Sequence, residues 1–352
     1  MKNKKKRIAI IGHFGGNEVC YDGQTVKTRT LYQGFQKELD CAPYKVDTYY
    51  KKHNPIKLLW QTFFGVFFHK DIFVLLSGNG MMTYFPFLYF ISKIKKLNVY
   101  HDVIGGDLDI LIKKRPELCK YLNSFTVNWV ETNGIKQRIE ALGINNASVL
   151  PNFKNLSAID PQDIVAYESV DRCYCFCTFS RVMAEKGITD AIDAVADING
   201  KRGYTVAKLD VYGPIEESYR EEFDKLICQH SDCVTYKGSV DSQNSVQTLQ
   251  SYFALLFPTR WGGEGFPGTI LDCFASAVPV IATDWNANGE IINHMETGLL
   301  YPNDDFSDLT SAIEWAIDNK DRFDSMKKAC RQEYEKYTPE RIMSMINEML
   351  MR

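Results

Sequence analysis

The chain has 352 residues, of which 45% are hydrophobic and 24% are charged, and its formal net charge is −3. This length exceeds that of a typical single core and predicts two domains, and the composition is that of an ordinary globular protein. The near-neutral charge gives no overall attraction to nucleic acid, so no nucleic-acid partner is expected.

The amino terminus carries a short basic run from Lys2 to Arg7. It is either a solvated tail or a contact for anionic lipid or a phosphate-bearing substrate. The apolar stretch 7–12 then predicts a buried parallel strand that leads into glycines, and residues 25–39 have helical spacing.

Residues 57–70, KLLWQTFFGVFFHK, are rich in aromatic side chains and have basic ends. Two interpretations remain open: a helix buried in a large core, or a helix with one face on a bilayer. The most apolar region, 71–94, is interrupted by Ser77 to Gly80 and by Pro86. No membrane-spanning segment is therefore expected.

Strands and helices alternate along the rest of the chain. In the first half, strands are predicted at 71–77, 97–103 and 124–132, and helices at 84–96 and 133–143; residues 147–153 close this half. In the second half, strands are predicted at 173–181, 207–213, 233–239, 254–259 and 278–284, and helices at 188–198, 221–229, 246–253 and 268–277. Repeated strand–helix units predict an α/β fold of two doubly wound, Rossmann-like domains with helices on both faces of each parallel sheet.

The domain limits follow from a polar segment near 154–170 and from the last residues. We predict an acceptor-binding domain at 1–160 and a donor-binding domain at 161–335. Residues 336–352 form an amphipathic helix that is expected to pack on the first domain.

The ten cysteines form no C-x-x-C pair, and Cys173, Cys175 and Cys177 alternate within one predicted strand. They are expected to face one side of that strand as buried core, and no metal ligands are predicted among them. Cysteine usage of this kind predicts a reducing, cytoplasmic setting.

Ligands of open α/β sheets bind at the carboxyl ends of the strands, which directs attention to two loops of the second half. In the first, Arg181 leaves a strand end and Lys186 follows just before a helix. A guanidinium and an ammonium group at one strand exit would neutralise a diphosphate, although two solvated loop charges give the same pattern.

The second loop, RWGGEGFPG (260–268), links a strand to a helix. Its glycines permit close approach of the backbone to a ligand, and amide groups at a helix start favour an anion. Asp272 falls outside the apolar stripe of that helix, so it is expected to face the same crevice as Glu264. A purely structural turn remains the alternative.

Five segments in this order and spacing resemble the carboxy-terminal domain of the family 4 retaining glycosyltransferases, which have the GT-B fold. They are FSRVMAEKGITDAIDAV, DVYGP, YKGSV, LLFPTRWGGEGFPGTILDCFASAVPVIATD and GEIINHMETGLLYPNDDFSDLTSAI. The resemblance is specific over about 173–318 and weaker over the first half.

The resemblance implies a role for each matching residue. Arg181 and Lys186 would bind the donor diphosphate, Glu264 the donor sugar and Asp272 the ribose. The family has Glu where Asp272 stands, so the ribose contact is expected to be longer or mediated by water. The main chain at Gly265, Phe266, Pro267 and Gly268 would lie beside the sugar and phosphates. The YKGSV segment (236–240), with Lys237, Gly238 and Val240, would frame the nucleobase, and Gly213 would complete the donor site.

In the first half, VYHDV (99–103) resembles the strand end that carries the family's histidine. His101 would then face the donor sugar and acceptor as a catalytic residue, although a histidine of the core is the alternative. Gly23 and Gln24 match the family's glycine loop beside the donor phosphate better than Gly15 and Gly16 do, and both choices stay open.

The family resemblance implies a metal-independent enzyme that retains anomeric configuration and needs no cofactor beyond its nucleotide-sugar donor, with UDP the first choice of nucleotide and GDP the second. The acceptor would be a glycan or lipid-linked saccharide of bacterial surface-polysaccharide synthesis, which would place the protein at the inner face of the membrane. A sugar-nucleotide epimerase, a phosphorylase or a non-catalytic nucleotide-sugar-binding subunit are the alternatives.

Overall fold

The computed structural model describes residues 7–18, 23–302 and 306–351. The basic run at 1–6 and the start of the predicted glycine loop, residues 21 and 22, lie outside this description. Two compact units make up the chain. Unit 1 contains Met1–Asn155, Gly263–Phe266 and Tyr337–Arg352, and unit 2 contains Leu156–Gly262 and Pro267–Lys336.

Unit 1 is built on a parallel sheet of six strands within the described residues. Its strands are β1 (Ile8–Gly12), β2 (Tyr44–Asp47), β3 (Asp71–Leu75), β4 (Asn98–Asp102), β5 (Val127–Val130) and β6 (Ala147–Val149). The order across the sheet is β2-β1-β3-β4-β5-β6. From β1 the chain first adds β2 on one side and then crosses back to add β3 on the other. The boundary between β1 and β3 is therefore the topological switch point of this unit.

The helices of unit 1 cover both faces of that sheet. They are α1 (Gly23–Glu38), α2 (Tyr50–His53), α3 (Pro55–Phe68), α4 (Gly78–Ile94), α5 (Leu108–Lys114), α6 (Leu118–Leu122), α7 (Asn133–Glu140) and, near the carboxyl terminus, α15 (Pro339–Met351). Phe35 of α1 packs in one core cluster with Ile342 and Met343 of α15. The carboxy-terminal helix thus lies against α1 in this unit.

Unit 2 repeats the arrangement with a second parallel sheet of six described strands. These are β7 (Tyr174–Phe179), β8 (Ala207–Tyr212), β9 (Val234–Gly238), β10 (Ala254–Phe257), β11 (Val280–Thr283) and β12 (Gly298–Tyr301). The order is β12-β11-β10-β7-β8-β9, so the switch point falls between β7 and β10.

The helices of unit 2 alternate with these strands. They are α8 (Ile188–Arg202), α9 (Arg220–Gln229), α10 (Ser245–Leu249), α11 (Gly268–Ala275), α12 (Asn288–Ile291), α13 (Phe306–Asp318) and α14 (Lys320–Tyr334). The two doubly wound α/β sheets predicted from the sequence are confirmed. Short 3₁₀ turns connect several elements, and the one at Ala184–Lys186 carries a predicted site residue.

The structure corrects two expectations about burial. Of the two interpretations left open for 57–70, a core helix is wrong, because only Gly65 and Val66 of this helix, α3, are buried. Cys177 is buried as expected, whereas Cys173 and Cys175 are only half-buried, because they lie at the start of β7 and just before it.

Candidate functional site

Arg181 and Lys186 lie at the carboxyl end of β7, beside the switch point of unit 2. Arg181 follows the strand by two residues, and Lys186 closes the 3₁₀ turn that leads into α8. β7 is flanked by β8 and β10. Both cations therefore occupy the edge of the sheet at which ligands of this fold class bind.

The side chains of Arg181 and Lys186 both lie over the ring of Trp261, in the loop after β10. The Lys186 Nζ lies 4.6 Å from the centre of that ring, and the Arg181 Cζ lies 5.9 Å from it. An aromatic face attracts cations at such distances. Lys186 is buried while 54% of the Arg181 side chain is exposed, and the Arg181 guanidinium is 4.0 Å from Glu216. One buried and one exposed positive charge thus converge on a single ring, and sequence reasoning did not identify that ring.

Gly187 fixes the position of Lys186 relative to β10. Its backbone is left-handed, with φ 69°, and a Cβ at this position would lie 2.1 Å from the carbonyl oxygen of Pro258. Close by, the Arg260 amide donates to the carbonyl of Glu185 at 2.8 Å, and the Arg260 guanidinium pairs with Asp190. The exits of β7 and β10 are therefore held together by backbone contacts that a side chain at residue 187 would disrupt.

Asp272 lies on α11 and is almost fully buried, with 2% of its surface exposed. The expectation that it stands outside the buried stripe is wrong, because residues 270–275 are all buried where α11 packs against α10 and α14. The Ser245 hydroxyl on α10 donates to Asp272 Oδ1 at 2.8 Å. Its contact with a ribose stays a prediction.

Gly213 and the segment predicted to frame the nucleobase, residues 236–240, meet at the carboxyl ends of β8 and β9. The Gly213 amide donates to the carbonyl of Gly238 at 2.9 Å, and the Tyr236 hydroxyl donates to the carbonyl of Gly213 at 2.9 Å. Lys237 Nζ lies 3.5 Å from Asp210 Oδ2, and Val240 is half-buried in the following loop. The structure thus brings this predicted group together.

Residues Gly263–Phe266 pack with unit 1. The Gly106 amide donates to the carbonyl of Gly263 at 3.3 Å, and the Phe266 amide donates to Glu131 Oε2 at 2.8 Å. A Cβ at Gly265 would lie 2.4 Å from that same carboxylate oxygen and 3.0 Å from the carbonyl carbon of Gly105, so a side chain there would have to displace Glu131. Glu264 itself is 8% exposed.

These contacts narrow the predicted role of the main chain at residues 265–268. Glu131 already accepts from the Phe266 amide. Pro267 has no N–H, and Gly268 is the first residue of α11. An anion bound to this stretch would therefore have to use the amide of Gly265 or that of Gly268.

Lys27 of α1 joins the same carboxylate in a buried cluster. Its Nζ lies 2.7 Å from Asp102 Oδ1 and 2.9 Å from Glu131 Oε1, and it donates to the carbonyl of Val103 at 3.1 Å. Burial disfavours the charge on Lys27, but the two carboxylates outweigh it and raise its pKa above the ordinary value. Burial raises the pKa of Asp102, although Lys27 opposes this. Sequence reasoning missed all three residues.

His101 is fully buried on the opposite face of β4 from Asp102. Its Nδ1 lies 3.0 Å from Asn128 Oδ1, and its ring meets those of Phe85 and Phe125 edge-on at 4.9 and 6.2 Å. Burial lowers its pKa to about 4, with Lys27 adding to the effect. These surroundings are those of a core histidine, the alternative left open by the sequence, and its predicted catalytic contact stays a prediction.

Gly23 and Gln24 lie at the start of α1, after the exit of β1. Gln24 Nε2 donates to the carbonyl of Leu75, the last residue of β3, at 3.2 Å. Gly23 is exposed, and its Cβ position is open. Both therefore sit near the switch point of unit 1. Across the described residues, no group of three His, Cys, Asp or Glu side chains is arranged to hold a metal ion.

Part of this chain is similar in sequence to known glycosyltransferases. Residues 173–319 match the model of the family described as glycosyl transferases group 1. The capsular polysaccharide biosynthesis glycosyltransferase CapM of Staphylococcus aureus is 30% identical over 141 residues, which are 40% of this chain and 36% of that protein. The chain spans 27% and 36% of the length of two curated relatives that it matches.

Two solved structures match the whole architecture. Sucrose-phosphate synthase from Thermosynechococcus elongatus superposes with a TM-score of 0.74 at 15% identity over 98% of both chains. Anabaena HepE, solved in complex with UDP and glucose, has a TM-score of 0.74 at 12% identity over 98% of this chain and 99% of that one. At such identities the likeness shows the fold alone. The chain thus has the predicted GT-B fold, and its residues 173–319 match the model of the glycosyl transferases group 1 family.

Proposed function

We propose that the chain is a retaining, metal-independent glycosyltransferase of family 4 that transfers a sugar from a nucleotide diphosphate sugar. The observation that carries the proposal is the convergence of Arg181 and Lys186 on Trp261 at the switch point of unit 2. A buried ammonium beside an exposed guanidinium suits a diphosphate, since both can donate to phosphate oxygens while the guanidinium stays mobile.

In this proposal the two cations act on the leaving group. Negative charge grows on the departing diphosphate as the bond to the sugar breaks, and fixed positive charges stabilise it. The resemblance implies front-face attack, in which a phosphate oxygen of the leaving group helps to take the acceptor proton. No protein nucleophile is then required, and Glu264 would bind the donor sugar while Asp272 and its partner Ser245 would meet the ribose.

For the donor we propose a UDP-sugar first and a GDP-sugar second. The complex of HepE with UDP and glucose supports the former choice. For the acceptor we propose a glycan or a lipid-linked saccharide of bacterial surface polysaccharide, which the name of the relative CapM supports. A lipid-linked acceptor would bring the enzyme to the cytoplasmic face of a membrane. No helix in the described part of the chain is long and apolar enough to cross one.

The test is nucleotide release from a panel of UDP- and GDP-sugars, with product analysis in the presence of saccharide acceptors. Lys186→Ala or Glu264→Ala is expected to lower transfer at least about tenfold, which corresponds to roughly 1.4 kcal/mol of transition-state stabilisation. Lys225→Ala is the matched control, because Lys225 is 73% exposed on α9 and pairs with the exposed Glu221. Near-unchanged activity in both site variants would contradict the assignment.

The same assay separates the alternatives. An epimerase would change the donor without an acceptor, and a phosphorylase would require inorganic phosphate. A non-catalytic subunit would bind nucleotide, raising its melting temperature, yet neither transfer nor hydrolyse the sugar.

A further inference from the structure

Helix α3 turns its polar side chains toward unit 1. The Asp47 amide donates to Gln61 Oε1 at 3.1 Å, and the hydroxyls of Thr62 and Tyr84 lie 2.8 Å apart. Gly65 and Val66 are buried on the same side. A surface helix of a globular protein ordinarily does the reverse, with its apolar stripe on the core and its polar residues outside.

The apolar side of α3 faces away from the unit. We name this surface the α3 face; its residues and exposed fractions are Ile56 (70%), Leu59 (70%), Trp60 (58%), Phe63 (44%), Phe64 (41%), Phe67 (43%) and Phe68 (55%). Steps of three and four residues place them all on one side of the helix. Their rings pack on each other, with 5.9 Å between Trp60 and Phe64 and 4.9 Å between Phe63 and Phe67.

The end of α4 extends this apolar surface. Lys95, just past α4, donates to the carbonyls of Val66, Phe67 and His69 at 2.7 to 3.0 Å, and so holds that end of α4 against the end of α3. Phe90 and Ile94 are 61% and 84% exposed there. The exposed apolar surface therefore spans two helices.

Lysines surround this surface almost without opposing charge. Residues 48–101 contain seven lysines and one carboxylate, Asp71. Asp71 accepts from Asn98 Nδ2 at 2.7 Å and is half-buried. The exposed lysines are Lys51, Lys52, Lys57, Lys70, Lys93 and Lys96. An apolar, aromatic face with a cationic border is complementary to a surface that is apolar inside and anionic at its edge.

We propose that the α3 face docks on an anionic lipid bilayer and lies in the plane of its interface. The helix has 14 residues, too few to span a hydrocarbon core that needs about 20. Aromatic rings are enriched at the boundary between headgroups and acyl chains, where lysines reach anionic headgroups. A second copy would bring its own lysines against these lysines and be repelled, and the row of seven exposed apolar side chains along α3 suits the acyl region of a bilayer. The proposal is independent of the transferase activity.

The test is flotation of the full chain with vesicles of phosphatidylcholine alone and of phosphatidylcholine mixed with phosphatidylglycerol. The wild-type chain is expected to float with the anionic vesicles and to stay behind with the neutral ones. Leu59→Ser/Trp60→Ser should lower the bound fraction at least about tenfold, since it removes two of the most exposed apolar side chains of the face. The matched control is Val165→Ser/Tyr204→Ser, which removes apolar side chains of comparable exposure in unit 2 and should float like the wild type.

A second variant tests the charge. Lys51→Gln/Lys52→Gln should weaken binding to anionic vesicles and reduce its sensitivity to salt. Equal flotation of wild type and Leu59→Ser/Trp60→Ser, or wild-type binding to neutral vesicles alone, would overturn the proposal. The proposal would also be overturned if the wild-type chain were a dimer that does not bind vesicles and Leu59→Ser/Trp60→Ser made it a monomer. The α3 face would then be covered by a second copy of the chain. Flotation needs neither donor nor acceptor, so its failure is separate from a failure of transfer.

Discussion

Replacing Lys27 by Met would leave two carboxylates buried without their cation. Lys27 Nζ lies 2.7 Å from Asp102 and 2.9 Å from Glu131, and each of the three side chains is exposed by 6% or less. Removing one partner of a buried ion pair costs about 3–5 kcal/mol, because the remaining charge cannot recover its hydration. For a unit of this size that corresponds to a fall in melting temperature of roughly 6–20 °C.

The matched control is Lys37→Met on the same helix. Lys37 is 67% exposed and lies 3.5 Å from Glu340, so its loss is expected to cost at most about 1 kcal/mol. Thermal unfolding followed by circular dichroism compares the two variants. A third variant, Lys27→Met/Asp102→Asn/Glu131→Gln, removes all the charges while a Gln oxygen can still accept from the Phe266 amide. It is expected to recover most of the lost stability.

The pH dependence supplies an independent check on the same reasoning. The pKa of Asp102 is already raised by burial, and Lys27 opposes that rise. Without Lys27 the pKa rises further above its unfolded value, so the folded variant takes up a proton more readily than the unfolded chain. The stability deficit of Lys27→Met should therefore shrink as the pH falls below neutrality. A deficit that matches that of Lys37→Met at every pH would refute the buried cluster as a source of stability.

Two further predictions concern single rings. Burial lowers the pKa of His101 from 6.5 to about 4. Between these two pH values the unfolded chain binds a proton that the folded chain does not, so the free energy of unfolding is highest above about pH 6.5 and falls as the pH approaches 4. The loss amounts to about 3 kcal/mol at pH 4. His101→Gln should remove most of this acid sensitivity in denaturant unfolding between pH 7 and 4.5, and an unchanged slope would show that another group is responsible. Trp261→Leu should lower kcat/KM for the donor about 2- to 5-fold, since a cation–π contact contributes about 0.5–1 kcal/mol. Trp315→Leu, which removes the ring 5.5 Å from Arg322, is the control, and an equal effect in both would contradict a donor role for Trp261.

The alternation of strands and helices was readable from sequence because buried parallel strands are continuous apolar runs between helical patterns. Weaker strands were missed. Tyr44–Asp47, at the edge of its sheet, is only four residues long and contains Lys45 and Asp47. Residues 263–266 could not be assigned to unit 1 from sequence, since the strands and helices around them belong to unit 2 and only the contacts of Glu131 and Gly106 reveal their grouping.

For the candidate site, sequence reasoning found charges that follow strands of the second half but passed over those of the first. Glu131 directly follows β5 and Asp102 ends β4, so the rule that directed attention to Arg181 applies to both. The alternation of side chains along β4 tells which of its last two residues can face α1. Adjacent residues of a strand face opposite sides of the sheet, so His101 and Asp102 cannot both face α1. The structure places Asp102 on that side, against Lys27.

Helix α3 shows a limit of periodicity itself. The spacing of Leu59, Phe63 and Phe67 predicts that they share a face, and an apolar face of a soluble chain is ordinarily assigned to the core. What decides its direction is the opposite side of the helix. Gln61 and Thr62 find hydrogen-bond partners in the unit, and a Cβ at Gly65 would lie 2.6 Å from Val46, so the backbone approaches β2 closely on that side. Gln61, Thr62 and Gly65 thus share the packed side of α3 with Leu58 and Val66. In this chain, an aromatic-rich segment with its polar residues and a glycine on one helical face has its apolar side outward. The lysines around that apolar side are complementary to an anionic partner, as in the proposed docking on a bilayer.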